Sequence, residues 1–303
     1  MSNSRAFAAI YSSVAISYLG VGLVAPLIAI VLADRGGGSV LVGLVGTTMF
    51  AAFTLSSFPI GTATDKIGPK PVLITGLLVY ATSILLFAFI GNVWLFFIVR
   101  AVEGVGAAAI SVATETMVSR LSRPDERARR MSYYALSVGV GWAAGPLAGG
   151  LLFGLRPALP FIAGSALSVL AAVSAAIFIP SLASNSLHAT RPFGLTKKLL
   201  TPVSAGALYG YLMSSLVTLF PLYLRQINVA EGQMGSIITA VIVGTMISIV
   251  PIGRAADRFG KRRTLLACSV VLACVFAIMP AHSDWRMFLL TGACAGAMAG
   301  SLY

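Results

Sequence analysis

The stretch Gly61-Thr-Ala-Thr-Asp65-Lys66-Ile-Gly68-Pro69-Lys70 occurs again as Gly253-Arg-Ala-Ala-Asp257-Arg258-Phe-Gly260-Lys261-Arg262. Both read G-x-x-x-D-[KR]-x-G-x-[KR], and they start 192 residues apart. A tight turn at a membrane surface needs small residues where helices converge and an acid that caps a helix or accepts from exposed amides. It also needs a second glycine to reverse the chain, and cations to meet the headgroups. A single copy passes as such a turn. Two copies at equivalent places in two halves of a chain point to an internal structural repeat.

The sequence around the two copies is apolar. Of 303 residues 58% are hydrophobic and only 10% charged, with a mean hydropathy of +0.93, which excludes a water-soluble surface. A helix crossing hydrocarbon takes about 20 residues nearly free of charge, so gaps between charged residues locate the spans. The gaps run from Arg35 to Asp65, Lys70 to Arg100, Arg130 to Arg156, Arg156 to Arg191, Lys198 to Arg225 and Glu231 to Arg254. They predict ten helices, at 7–33, 41–61, 72–90, 94–118, 132–154, 158–180, 200–224, 233–253, 264–281 and 285–303. The fold class is an all-α integral membrane protein. The first apolar stretch is too long for a signal-peptide core and reads as a retained span.

The formal charge of +12 is an orientation signal and not a nucleic-acid footprint. Loops on one side carry 16 basic residues and those on the other carry 4. The basic side is expected to be cytoplasmic, with the N-terminus inside and both copies of the repeated stretch on that side. The polar segment 181–199, with Pro180, Pro192 and Pro202 around it, reads as a cytoplasmic linker between two bundles, 1–180 and 200–303. Cys268, Cys274 and Cys294 sit in apolar runs without ligand spacing, so neither a metal site nor a cofactor is expected.

The repeated loop resembles the signature of the major facilitator superfamily, which follows helix two and returns more weakly after helix eight. Two further patterns are similar to the family's. Arg100-Ala-Val-Glu103-Gly104-Val-Gly106-Ala matches R-x-x-[QE]-G-x-G-A on helix four, and Gly141-Trp142-Ala-Ala-Gly145-Pro146-Leu-Ala-Gly149-Gly150 matches the G-x-x-x-G-P-x-x-G-G pattern of antiporters on helix five. Leu19-Gly20 followed by Pro26 looks like helix one of twelve-helix drug:proton antiporters. The resemblance implies two six-helix bundles, of which the sequence would hold the first and four helices of the second, a C-terminally truncated chain. It assigns a gating role to Gly61, Asp65, Lys66, Gly68 and Lys70 and to Gly253, Asp257, Arg258 and Gly260. Pro69 stands where the family usually has a basic residue.

The residues of helices four and five support this reading without the family. Pro146 removes a backbone hydrogen bond, while Gly141, Gly145, Gly149 and Gly150 leave a groove for a neighbouring helix, whether for leak control or for ordinary membrane packing. Arg100, Glu103 and Glu115 are the only charges well inside the spans, and an ionisable group there needs a partner or a wet cavity. Arg100 and Glu103 are three apart and can pair, either as a structural lock or as a proton-exchanging site, because a cation favours the ionised acid and burial the neutral one. Glu115, about 18 Å further along the axis, is placed to form a gating ion pair with the basic residues of the 61–70 loop. Tyr18 and Trp142 are candidate wall residues of a substrate cavity, with Tyr11, Tyr209 and Tyr211 nearby.

The expected function is secondary transport by alternating access, as a proton-coupled antiporter exporting a small molecule from a plasma (inner) membrane, working as a monomer in lipid. The alternatives are a proton symporter or facilitator for nutrient uptake, and a non-transporting scaffold or sensor. No nucleotide-binding loop, H-E-x-x-H or G-x-S-x-G is present in the sequence, so an enzyme is not expected.

Overall fold

The computed structural model describes residues 3–182, 211, 214–278 and 284–299. Ten helices lie among the described residues: α1 (Asn3–Asp34), α2 (Ser39–Ile67), α3 (Pro69–Phe87), α4 (Leu95–Leu121), α5 (Arg127–Leu155), α6 (Leu159–Phe178), α7 (Phe220–Gln226), α8 (Glu231–Phe259), α9 (Lys261–Ile278) and α10 (Trp285–Ala299). Residues 214–218, leading into α7, are also helical. Most of the expected span 200–224 and of the linker 181–199 lies outside the described residues, as does Tyr209.

Ten membrane crossings were expected, and six helices among the described residues, α1 to α6, are long and apolar enough to cross. A seventh is added if α8, bent by 43° between Ser248 and Val250, counts as one span. The bend falls where Pro251 cannot donate to the carbonyl of Ile247. α9 falls short because its 18 residues open with Lys261, Arg262 and Arg263, which belong at a polar surface and not in hydrocarbon. α10 is described over 15 residues and α7 over 7.

Helix α1 is the centre of the first group. Of its most apolar stretch 78% is buried, against 17% for α2, which lies at the edge. α1 packs mainly on α5 and α6, α3 on α4 and α6, and α2 on α4. Along exposed α2 the hydroxyls of Thr47, Thr48, Thr54, Ser57, Thr62 and Thr64 each donate to the carbonyl four residues back. Polar side chains thus spend their hydrogen bonds on their own helix, where water is scarce. The later helices form a second packed set, with α8 against α10 and α9, and α5 is the element of the first group that meets α8 most extensively.

The repeated stretch is less of a loop than the sequence suggested. α2 runs through Asp65 and Lys66 to Ile67, and α3 begins at Pro69, so Gly68 alone makes the break. Charged residues stop an apolar span without stopping a helix, so the helix continues past the hydrocarbon until a residue leaves the helical region. Gly68 does so at φ +90° and Gly260, between α8 and α9, at φ +92°, both in the region that favours glycine.

Candidate functional site

The R-x-x-E-G-x-G pattern on α4 is a means of burying an ion pair. Arg100 Nη1 donates to Glu103 Oε2 at 2.6 Å, one helical turn apart, and the two side chains are 4% and 1% exposed. The glycines beside the acid let other helices cover it. A Cβ on Gly104 would strike the Met49 carbonyl of α2, and one on Gly106 would lie 2.9 Å from the Tyr80 amide of α3. With α2 and α3 drawn onto its backbone, α4 has little room for water around the pair. Tyr80, fully buried on α3, places its hydroxyl beside Glu103 and Arg100 without completing a hydrogen bond, and Tyr18 of α1 is its next electrostatic neighbour. A tyrosine in an apolar helix reads as core in the sequence, so Tyr80 escaped notice there.

From this pair polar groups continue along α4. Tyr134 of α5, nearly buried, receives a hydrogen bond at 3.3 Å from the Thr114 hydroxyl and lies within electrostatic reach of Tyr18 and Glu115. Tyr18 therefore stands between Tyr80 and Tyr134. The structure pairs Arg100 with Glu103, and Tyr18 neighbours Tyr80 and Tyr134. Trp142 is half-buried on the seam between α1 and α5, its carbonyl turned to Gly22.

That seam is made by the glycines of α5. A Cβ on Gly141 would come within 2.6 Å of the Ala15 carbonyl, and one on Gly145 within 2.5 Å of Gly22 Cα; one on Gly149 would meet the Leu23 carbonyl. Gly150 is buried and Pro146 Cδ closes on Gly22. The groove expected on helix five is real and α1 fills it, with Gly22, which the sequence reading passed over, as the matching notch.

At the break after α2, Asp65 Oδ1 accepts from Arg120 Nη2 of α4 at 2.7 Å, and Lys70 Nζ donates to the Ala176 carbonyl of α6 at 2.7 Å, while Lys66 is exposed. Glu115, expected to pair with this loop, instead accepts from Ser111 at 2.8 Å. Twelve residues beyond Glu103 is still a turn short of the loop, and Arg120 supplies the charge that reaches it. The first glycines of the two copies, Gly61 and Gly253, have open space where a Cβ would go, so no helix among the described residues approaches them closely. In the second copy Arg258 lies over the ring of Phe259 at 5.3 Å; the Asp257 side chain is outside the described set.

The two sets of helices meet towards one end. At the end holding the α1–α2 and α7–α8 turns, Asp34 pairs with Arg225, and Thr218 presses on Gly46. Along α5 and α8, Gly235 abuts the Pro146 carbonyl, Thr239 Oγ1 donates to the Ala143 carbonyl at 2.7 Å, and Met246 reaches Gly139 near mid-helix. Beyond that point Tyr133, Leu136 and Val140 of α5, Ile247 and Val250 of α8, and Leu55 and Phe58 of α2 are exposed. Contacts between the two sets among the described residues therefore gather at the end of Asp34 and along α5 and α8.

Comparison with known proteins agrees with this geometry. The family model for the Major Facilitator Superfamily matches residues 10–204 and 202–303. An uncharacterised MFS-type transporter of Bacillus subtilis, YfkF, is 28% identical over 272 residues, 88% of this chain and 69% of that protein. Multidrug resistance protein 2 of Bacillus subtilis is 26% identical over 90% of this chain and 73% of its own length. Quinolone resistance protein NorA of Staphylococcus aureus is 26% identical over 93% and 75%. A bacterial homologue of the human lysosomal transporter Spinster, solved inward-facing and occupied, superposes with a TM-score of 0.80 at 13% identity, over 99% of this chain and 72% of that one. The nucleoside transporter NupG gives 0.80 at 12%, over 100% and 80%.

Proposed function

The chain belongs to the major facilitator superfamily, whose members carry small molecules across membranes, and on that premise we propose that it exports a small molecule in exchange for protons by alternating access. Two bundles, joined through the 181–199 linker, rock about a central site. The repeated-stretch end is cytoplasmic by its basic residues, which puts the Asp34–Arg225 contact on the outer side. The observation that carries proton coupling is the Arg100–Glu103 pair, buried on α4 beside the hydroxyl of Tyr80. Among the described residues this carboxylate pairs with one guanidinium and with no other charged group, so gain or loss of a proton changes the local charge balance.

Export is favoured over uptake by the glycine groove of α5, which matches the antiporter pattern, and by the relatives named for multidrug and quinolone resistance. The gating role of Asp65, Lys66, Lys70 and the second copy rests on their match to the family's signature loop and on the Asp65–Arg120 and Lys70–Ala176 bonds that tie that loop to α4 and α6. The protein works as a monomer in the plasma membrane.

The test is Glu103→Gln in proteoliposomes with an imposed pH gradient, using a panel of fluorescent lipophilic cations and a quinolone as probes. The expected result is a folded protein in which probe movement no longer responds to the gradient. Retention of the full gradient response in Glu103→Gln would remove Glu103 from the coupling role.

A further inference from the structure

Arg100 is shared between two partners, and only one is accounted for. Its Nη1 is committed to Glu103, whereas its Nε is buried with no hydrogen-bond partner among the described residues. The Thr218 hydroxyl, on the helical residues leading into α7, is in the same condition, and Thr218 is 6% exposed. Both residues line one cavity of about 10 Å³, whose other walls include Val42, Val45 and Gly46 of α2 and Ala29 of α1. The cavity therefore lies between the first set of helices and the second, at the closed end. Two buried donors or acceptors facing one small space are stable only if something polar is shared between them. A space of this size sits at the lower limit for a single water and is too small for a substrate or a polyatomic ion.

We propose that this cavity is a binding site for one ordered water, which accepts from Arg100 Nε and hydrogen-bonds to the Thr218 hydroxyl, latching the second bundle onto the ion pair of the first. Gly46 is part of the latch, because a Cβ there would lie 2.7 Å from Thr218 Cγ2 and push the threonine off the site. The guanidinium then touches the buried acid through one nitrogen and the closed outer gate through another. A change at Glu103 that turns the guanidinium moves the water's anchor as well, so the gate and the acid are linked through a single side chain. The inference rests on the two-bundle alternating-access reading above but not on the coupling ion.

The test reads the outer gate directly. Val42, 1% exposed and lining the cavity, becomes the reporter as Val42→Cys, labelled from outside in proteoliposomes with a membrane-impermeant maleimide and quantified at residue 42 by mass spectrometry. No substrate and no pH gradient are present, so failure of the proton-coupling reading leaves the experiment unaffected. Loss of a neutral hydrogen bond shifts an equilibrium by several-fold, up to about tenfold. Thr218→Val, close in shape to threonine, is expected to speed labelling by about that factor, while Thr218→Ser, which keeps the hydroxyl, stays within about twofold of the parent. Gly46→Ala is expected to speed labelling by displacing Thr218. Unchanged labelling in Thr218→Val or in Gly46→Ala, or equal acceleration by Thr218→Ser and Thr218→Val, overturns the latch.

Discussion

Gly145→Ala offers the sharpest test of how α1 and α5 are held. The added Cβ would sit 2.5 Å from Gly22 Cα and 2.7 Å from the Leu23 amide, all of it backbone that no rotamer change can move. Ordinary contact begins at 3.4 Å, so the helices must part locally by about 0.9 Å. Overpacking of this kind costs roughly 1–3 kcal/mol. Gly154 on the same helix has nothing within 4 Å of its Cβ position, so Gly154→Ala adds a methyl without a clash and gains up to about 1 kcal/mol of helix propensity. Both substitutions share the propensity gain, so their difference isolates the clash. At about 2–4 °C per kcal/mol for a chain of this size, Gly145→Ala should melt several degrees below Gly154→Ala. Thermal unfolding in detergent, followed by tryptophan fluorescence with Trp142 three residues from the site, measures the gap. Equal melting temperatures for the two variants would refute the backbone-contact account of the groove.

Two further outcomes follow from the turn at Gly68 and from the closed end. Gly68→Ala places a side chain at φ +90° and sets its Cβ 2.9 Å from the Leu182 carbonyl, so it should lose about 1–3 kcal/mol in the same melt. Gly61→Ala, inside α2 and with open space at its Cβ, should melt no lower than the parent and gain up to about 1 kcal/mol of helix propensity, and an equal loss in both variants would show that strain at residue 68 is not the cause. Asp34→Asn removes the ion pair with Arg225, whose side chains are 44% and 40% exposed, so the pair contributes at most about 1 kcal/mol and is screened by salt. Outer labelling at residue 42 should rise up to about fivefold in Asp34→Asn at low salt and converge with the parent near 1 M, and a salt-independent difference would contradict an electrostatic gate.

The charge gaps in the sequence mark the first six helices well because hydrocarbon imposes one rule on all of them. The same rule says nothing about where a helix ends once it has left the hydrocarbon, which is why α2 was cut at residue 61 and runs to Ile67. Spacing along one helix was legible: Arg100 and Glu103 are one turn apart, and they pair. Relations between helices were not. Nothing local to Asp65 announces Arg120 as its partner, 55 residues on, and Glu115 was expected to meet the basic residues of the 61–70 loop because it was the charge in view. Thr218 looks like any hydroxyl in an apolar run until Gly46 and Arg100 are brought to it. The glycines fall between these cases, since their spacing on α5 predicts a groove while its occupant depends on the packing of α1.

Helix α5 is fitted on two sides, taking the backbone of α1 against Gly141, Gly145 and Gly149, and Met246, Thr239 and Gly235 of α8 against Gly139, Ala143 and Pro146. A helix so confined has almost no neutral substitutions on either side, and any change in its position is felt by both halves of the protein at once. Sequence change would therefore be channelled away from those two faces, to exposed side chains such as those of Leu55 and Phe58 on α2. Constraint and freedom to change are thus divided between helices of one packed set.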